Sequence, residues 1–430
     1  MAGRDYGRFA TALPAATVVQ LRSDGFVVVD NFLGDSWATA LRTELAWLAE
    51  RKLMKPHTFQ FGPAQFRKPH IFEMDLHNQQ VREQLCEFAE FFEQQNLAAA
   101  INKHAPELAL ISGATAATIK LQLNTGGGGC FPHHYDNAGR PNKRQITCLI
   151  YLNPNWQSGD GGELELLPFL RPAVRIPPLM DRAVLFLSDR VLHRVLPSIA
   201  SRMCFTIWID GGNVNGDDVV GLSARHLRCV DDNGDDDANS EAGSRYTLQE
   251  LCASPVQRAV SRSVYADEYE TSLNECMRGA AGAAEMQAAH QAHLQQQLSH
   301  SALAPFIHEL RRRKPPAEEV IVYTAVGHGG KEGSDHAVAS TVDVGGVVAD
   351  VRGDKEVLDQ LGSTTLVAER QQQQQICVQC EKTAAAAAAS YFRCAQCEVA
   401  VYCSRKCQQL HWKVHRDLCV KLQAHHVLQV

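Results

Sequence analysis

Two histidines and an aspartate, divided between strand-like segments, constrain this chain more than any other feature. His134 and Asp136 stand two residues apart, so on an extended backbone their side chains point to the same face. His193 lies far downstream, and Arg202 follows it. Around them run short β-prone segments at 119–124, 146–153, 162–167, 183–188 and 204–209, punctuated by Gly, Pro or Asp-Arg. That pattern predicts a mainly β fold, either a barrel or a double-sheet jelly roll. His193 falls just after one run and Arg202 just before the next, so two arms of one barrel can bring them together. Two imidazoles and one carboxylate would leave coordination positions open on a metal, a set that suits Fe(II).

An isolated His-x-Asp has a plainer reading, because a lone strand histidine is usually a packed or surface residue. The surroundings argue otherwise. The strand at 119–124 runs into a glycine turn at 126–129, which lets the backbone approach a bound group. Arg202 adds a fixed cation able to grip a carboxylate through two parallel hydrogen bonds. A metal beside a carboxylate clamp points to an oxygenase that consumes a 2-oxo acid.

From residue 23 through Asp210 the chain resembles the Fe(II)/2-oxoglutarate oxygenases of the prolyl 4-hydroxylase type. Within them it is similar to the prolyl hydroxylases that act on hypoxia-inducible factor. The blocks that carry the resemblance are His134 to Asn137, Thr147 to Asn153, Gly161 to Leu164, Ser188 to His193 and Arg202 to Trp208. The resemblance implies a double-stranded β-helix core with flanking N-terminal helices. It also implies that His134, Asp136 and His193 hold iron and that Arg202 binds the distal carboxylate of 2-oxoglutarate. Tyr151 stands where the family places a tyrosine on the same co-substrate, and Thr206 faces that pocket by spacing. Asn124 replaces a family tyrosine ten residues before the first iron ligand; an amide can still hydrogen-bond a carboxylate but supplies no ring wall. His133 points away from His134 on a strand and is expected at the surface or supporting a ligand. Trp208 stands where the nucleic-acid-demethylating branch has a second arginine, which counts against that branch.

The implied cofactors are Fe(II), 2-oxoglutarate as co-substrate with O2, and ascorbate. The implied reaction decarboxylates 2-oxoglutarate to succinate and hydroxylates an unactivated C–H bond. A prolyl residue of a protein or peptide is the leading substrate, with another protein side chain or a small molecule next. The loops at 58–77 and 138–144, which would select the substrate, carry no readable motif.

A second metal pattern closes the sequence. Cys377, Cys380, Cys394, Cys397, Cys403, Cys407, His415 and Cys419 offer eight soft ligands in four close pairs, enough for two tetrahedral Zn(II) sites. The segment resembles a MYND zinc finger. That resemblance implies interleaved sites, with Cys377, Cys380, Cys403 and Cys407 on one ion and Cys394, Cys397, His415 and Cys419 on the other. His411, one helical turn before His415, competes as a ligand, and the family spacing favours His415. With every position filled by protein, the finger is a binding module, and a proline-rich peptide is the partner the resemblance suggests.

The organisation that follows has N-terminal supporting elements at 1–112, an oxygenase core at 113–215, a linker, helical and low-complexity region at 216–374, and the finger at 375–421. Helical spacing at 35–52 and 78–104 places Leu41, Leu45 and Leu48 on one face and Leu85, Phe88, Phe92 and Ile101 on another. The acidic run 231–237 lacks the terminal glutamate of a calcium loop and reads as a solvated linker. Residues 246–313 read as mostly helical, and 318–367 as either a folded appendage or a tether. The 14 cysteines lack the dense spacing of a secreted disulfide scaffold, which favours a reducing compartment, cytoplasmic or nuclear. The basic run Arg311 to Lys314 is either an import signal or a solvated helix end. No run approaches membrane-spanning length, and a net charge of -6 gives no pull toward nucleic acid or anionic lipid. The alternative to an active hydroxylase is a non-catalytic scaffold whose finger does the work; an intact metal triad with Arg202 favours the enzyme.

Overall fold

The computed structural model describes residues 7–61, 64–113, 116–139, 141–212, 254–280, 282–323, 339–343, 392–393, 401–402, 405–409 and 412. The first elements are α1 (Arg8–Ala12), α2 (Ala15–Asp24), β1 (Phe26–Val29) and α3 (Asp35–Glu50). A hairpin of β2 (Lys55–Phe61) and β3 (Ala64–Asp75) precedes the short helices α4 (Gln79–Arg82), α5 (Cys86–Gln94) and α6 (Leu97–Asn102). The barrel strands are β4 (Ala117–Asn124), β5 (Gly129–His134), β6 (Arg144–Tyr151), β7 (Leu164–Pro168), β8 (Ala173–Ile176), β9 (Ala183–Leu187), β10 (Val191–Ser198) and β11 (Arg202–Asp210). After them come α7 (Ser254–Val264), α8 (Ala266–Cys276), α9 (Ala283–Leu298), α10 (Leu303–Arg313), β12 (Glu319–Tyr323), β13 (Ala339–Asp343), β14 (Phe392–Arg393) and β15 (Val401–Tyr402).

Two sheets face each other in a jelly roll. The major sheet has the order β1-β9-β6-β11-β4-β3-β2, and the minor sheet β13-β12-β8-β7-β10-β5. Alternation along the strands sorts the cores. On β6, Ile146, Cys148 and Ile150 join Leu41, Leu45, Phe88 and Ile101 of the N-terminal helices in one apolar layer. Leu149 and Tyr151 turn the other way, into the space between the sheets, with Phe186, Val191 and Cys204. The helices therefore buttress the outside of the major sheet, as their sequence spacing predicts. The stretch at 78–104 is three helices rather than one, because the chain breaks at residues 83–85 and 95–96.

The outer face of the minor sheet is covered as well. Leu167, Phe169, Leu170 and Leu192 pack against Val256, Val260, Tyr265, Phe306 and Leu310 of the later helices. Tyr265 fixes the contact by accepting the Leu170 backbone N–H at 2.8 Å. Residues 319–323 are a strand of the minor sheet, with β12 parallel to β8. That part of 318–367 is thus folded onto the barrel. The acidic run 231–237 and the glutamines before the finger lie outside the described residues. Among the described residues, no helix is long and apolar enough to cross a membrane.

One cysteine pair departs from the scattered reading. Cys130 on β5 and Cys276 on α8 form a disulfide, with Cα atoms 5.3 Å apart. Their sequence separation of 146 is the reason no spacing pattern exposes them.

Candidate metal centre and co-substrate pocket

The register of two strands builds the centre. β10 pairs antiparallel with β5, and His193 lies directly opposite His134. The pairing then slips, so that Val195 faces Phe131. Two residues on β10 therefore match three on β5, which is a bulge. Pro132 sits within it, a position where a missing backbone N–H costs the ladder nothing. The bulge lets Phe131 and His134, three residues apart, share the inner face. Asp136 follows just past the end of β5.

The three side chains converge. One ligand atom from each of His134, Asp136 and His193 lies within 4.8 Å of the others. His134 Nε2 is 3.7 Å from Asp136 Oδ1, and His193 Nε2 is 3.8 Å from Oδ2. Each ring is aimed from behind: His134 Nδ1 meets the Pro132 carbonyl at 2.8 Å and His193 Nδ1 meets the Val191 carbonyl at 3.1 Å. With Nδ1–H donating to a carbonyl, Nε2 keeps its lone pair for a cation. Thr147 donates to Asp136 Oδ2 at 2.8 Å and is itself held by Ser188 at 2.8 Å. Burial alone would raise the Asp136 pKa, but His193, His134, Trp208 and Thr147 outweigh it and hold the carboxyl below its ordinary value. The Trp208 indole N–H is aimed at this carboxylate without closing a full hydrogen bond. Desolvation in the cleft, with His193 alongside, lowers the His134 pKa and keeps its imidazole neutral. A neutral imidazole beside an ionised carboxylate is what a divalent cation requires.

Arg202 and Tyr151 meet deeper in the same interior. β11 pairs with β6, placing Cys204 opposite Tyr151 and Thr206 opposite Leu149. Arg202, Cys204 and Thr206 therefore share one strand face. The guanidinium lies over the Tyr151 ring, 4.9 Å from its centroid, and donates to Cys204 Sγ at 3.3 Å. Its Nε and Nη2 are buried without a hydrogen-bond partner, as is the Tyr151 hydroxyl. Three unmatched buried donors around a cation are costly unless an anion fills them, so this cradle fits a carboxylate. Gly162, at φ 77°, gives the arginine stem its room, since a Cβ there would strike Arg202 Cδ. Phe186 ties the two parts together, packing 4.6 Å from the His193 ring within the cluster that holds Tyr151.

Other expectations resolve differently. Asn124 spends its amide on the glycine turn, donating to the Gly129 carbonyl at 2.8 Å and accepting from Gly126 N–H at 3.0 Å. It is a brace of that turn and not one of the unmatched donors. Gly126, at φ 86°, is needed because a Cβ there would strike the Ile199 carbonyl, so the turn's close approach is to the β10–β11 connection. His133 faces away from the metal side, as alternation predicts, but it is buried against α8 rather than exposed. Burial pushes its pKa down to about 3.

Two pocket residues escape motif reading. Thr147 is legible by alternation, two strand steps from Tyr151. Lys68 on β3 carries no motif; its ammonium lies 3.6 Å over the Phe131 ring, and burial pushes its pKa down to about 7. In the finger, Cys407 is half-buried, and β14 and β15 pair Phe392 with Tyr402. Cys377, Cys380, Cys394, Cys397, Cys403, His411, His415 and Cys419 lie outside the described residues.

A jelly roll bearing two histidines, one carboxylate and a buried carboxylate cradle defines a non-haem iron oxygenase of the 2-oxo-acid-dependent class. The comparisons agree. Residues 120–210 match the 2OG-Fe(II) oxygenase superfamily, and residues 377–419 match the MYND finger. A crystal structure of prolyl 4-hydroxylases from Phytophthora capsici is 40% identical, with a TM-score of 0.61 over 73% of this chain and 96% of that one. The hypoxia-inducible factor prolyl hydroxylase of Caenorhabditis elegans is 31% identical over 199 residues, covering 44% of this chain and 27% of that protein. Prolyl hydroxylase EGLN3 of Mus musculus is 40% identical over 86 residues, covering 19% of this chain and 36% of its own length. This chain thus spans about a third or less of those two curated relatives. The chain belongs to the 2OG-Fe(II) oxygenase superfamily, in its prolyl 4-hydroxylase branch, and carries a MYND finger.

Proposed function

We propose that this chain is an Fe(II)- and 2-oxoglutarate-dependent dioxygenase that hydroxylates a prolyl residue of a protein. The observation that carries the reading is the set of unmatched buried donors on Arg202 and Tyr151 beside the triad of His134, Asp136 and His193. A plain metal site needs no such cradle, and a degenerate scaffold would have no reason to keep buried donors unpaired. The relatives named as prolyl hydroxylases support the substrate class.

Fe(II), with 2-oxoglutarate and O2, supplies oxidative decarboxylation to succinate and insertion of an oxygen atom into a C–H bond. The protein's part is positional. His134, Asp136 and His193 would hold the metal, and Thr147 and Ser188 fix the carboxylate's orientation. Arg202 grips the distal carboxylate of the co-substrate, and Tyr151 donates to it. Thr206 lines the same strand face. Apolar walls such as Phe186 keep water from the reacting centre. Ascorbate would supply the reducing equivalents that keep a bound iron ferrous. In the finger, Cys377, Cys380, Cys403 and Cys407 take one Zn(II), and Cys394, Cys397, His415 and Cys419 take the second. Its partner is a proline-rich peptide that brings substrate to the barrel, in the cytoplasm or nucleus.

The test is succinate release by the purified chain with Fe(II), 2-oxoglutarate and ascorbate, together with mass spectrometry of proline-containing peptides. We expect oxygen addition at proline. Asp136→Ala should abolish turnover while leaving the sheet's circular dichroism unchanged. Full turnover in Asp136→Ala would overturn the assignment.

A further inference from the structure

β5 is the terminal strand of the minor sheet. Such an edge leaves backbone groups unpaired unless something covers them. Here α8 covers it. Glu268, Ser272 and Cys276 follow one another at four-residue steps, so they share one helix face. Each of the three meets β5. His133 Nδ1 lies 3.1 Å from the Glu268 carbonyl, and the His133 backbone N–H donates to the Ser272 hydroxyl at 3.2 Å. The Ser272 hydroxyl itself donates to the Tyr269 carbonyl at 2.9 Å. Cys276 is bonded to Cys130. Alongside these, Glu275 pairs with Arg194 of β10 at 3.0 Å.

These contacts fix the segment that leads into the first metal ligand. Cys130 is fixed at one end of the bulge and His133 at the other. Between them sits Pro132, whose carbonyl aims the His134 ring. A tilt of this segment would move both the imidazole and the group that orients it. Groups that orient metal ligands from behind affect metal affinity strongly.

We propose that α8 is a clasp that positions His134 through β5, and that the Cys130–Cys276 bond is its thiol-responsive closure. This rests on the iron reading of the triad. A small-molecule disulfide such as oxidised glutathione closes the clasp by two exchanges. One thiolate of the pair attacks its S–S bond and releases one reduced thiol. The second thiolate then displaces the other. One S–S bond breaks and one forms, and two protons pass to the two released thiols. Cys276 is the last residue of α8, the end of the helix that frays most easily, so the exchange begins there.

The full chain is equilibrated in oxidised or reduced glutathione and titrated with Mn(II), a hard ion that discriminates against the finger's thiolates. Hydrogen exchange of the amides at 129–136 is measured in parallel. The oxidised protein should bind Mn(II) about tenfold more tightly, the low end for groups that orient metal ligands. Its 129–136 amides should exchange more slowly. Cys276→Ser should match the reduced protein in both buffers. Ser272→Ala should weaken Mn(II) binding in both, and Ser272→Thr, which keeps the hydroxyl, should restore it. Equal affinity and exchange in both buffers would overturn the clasp, as would a full redox response in Cys276→Ser. Should Asp136→Ala bind Mn(II) as well as the wild type, the iron reading falls. Exchange at 129–136 still decides the clasp then, because exchange independent of redox state or of Cys276 overturns it.

Discussion

At the scale of single residues, Arg202 concentrates most of what is specific about this pocket. Its Nε and Nη2 are buried without closing a full hydrogen bond, and so is the Tyr151 hydroxyl beside them. Charge-assisted hydrogen bonds contribute about 1.5–3 kcal/mol each, so Arg202→Ala should weaken 2-oxoglutarate binding by at least about tenfold. Calorimetric titration should find metal affinity unchanged, since the guanidinium does not touch the triad. Arg202→Lys should fall between, because a point charge on a flexible stem replaces a planar fork. Unchanged 2-oxoglutarate affinity in Arg202→Ala would make the arginine structural. The triad and this arginine were legible because their chemistry is written in residue type and order. Asn124 was not, since an amide beside a glycine turn can serve either the turn or a ligand. The Gly126 and Gly129 contacts show it bracing the turn.

At the scale of elements, Glu165 of β7 plays a part that sequence reading could not assign. Its carboxylate reaches Arg175 of β8 and Arg194 of β10, each at 2.7 Å, and lies 3.9 Å from His133 of β5. One buried anion thus ties three strands of the minor sheet beneath the helical layer, with the His133 ring of β5 beside it but not bonded to it. Burial alone would raise its pKa, but Arg194 and Arg175 outweigh that and hold it below the ordinary range. Glu165→Gln leaves those cations without their counter-charge and should cost about 3 kcal/mol in chemical denaturation near neutral pH. The sign of the pH dependence follows from the lowered pKa. The folded state binds fewer protons than the unfolded chain, so the contribution is full above the ordinary carboxylate pKa of about 4.3 and is lost as pH falls below it. Wild type and Glu165→Gln should therefore converge in acid, and a gap that stays constant with pH would refute the ionic account. Local alternation made most barrel strands readable. β10 was hidden, because polar His193 and Arg194 interrupt the apolar run and its pairing with β5 is a long-range fact. The β5 bulge was hidden for a related reason, since period two alone cannot place Phe131 and His134 on one face.

At the scale of the whole molecule, the superfamily match ends at residue 210, yet the fold around the barrel continues well beyond it. Leu167, Phe169, Leu170 and Leu192 are covered by α7–α10, the β5 edge by α8, and β8 by β12. The sequence marked these helices but could not say what they cover, because their apolar faces match partners more than sixty residues earlier, as in the Tyr265–Leu170 contact. A chain truncated after Gly212 should expose that apolar face and an open strand edge, and should aggregate or unfold well below the full chain. Truncation after residue 374 should instead leave the barrel's thermal transition in place, because the finger draws its stability from metal. A segment of that size has too little core to fold unaided, so chelation should unfold it alone. Differential scanning calorimetry with and without chelator separates the cases. One transition lost to chelator while the larger one stays is the expected record. A single transition that vanishes whole on chelation would mean that the finger and the barrel stabilise each other, and the boundary near residue 375 would then be wrong.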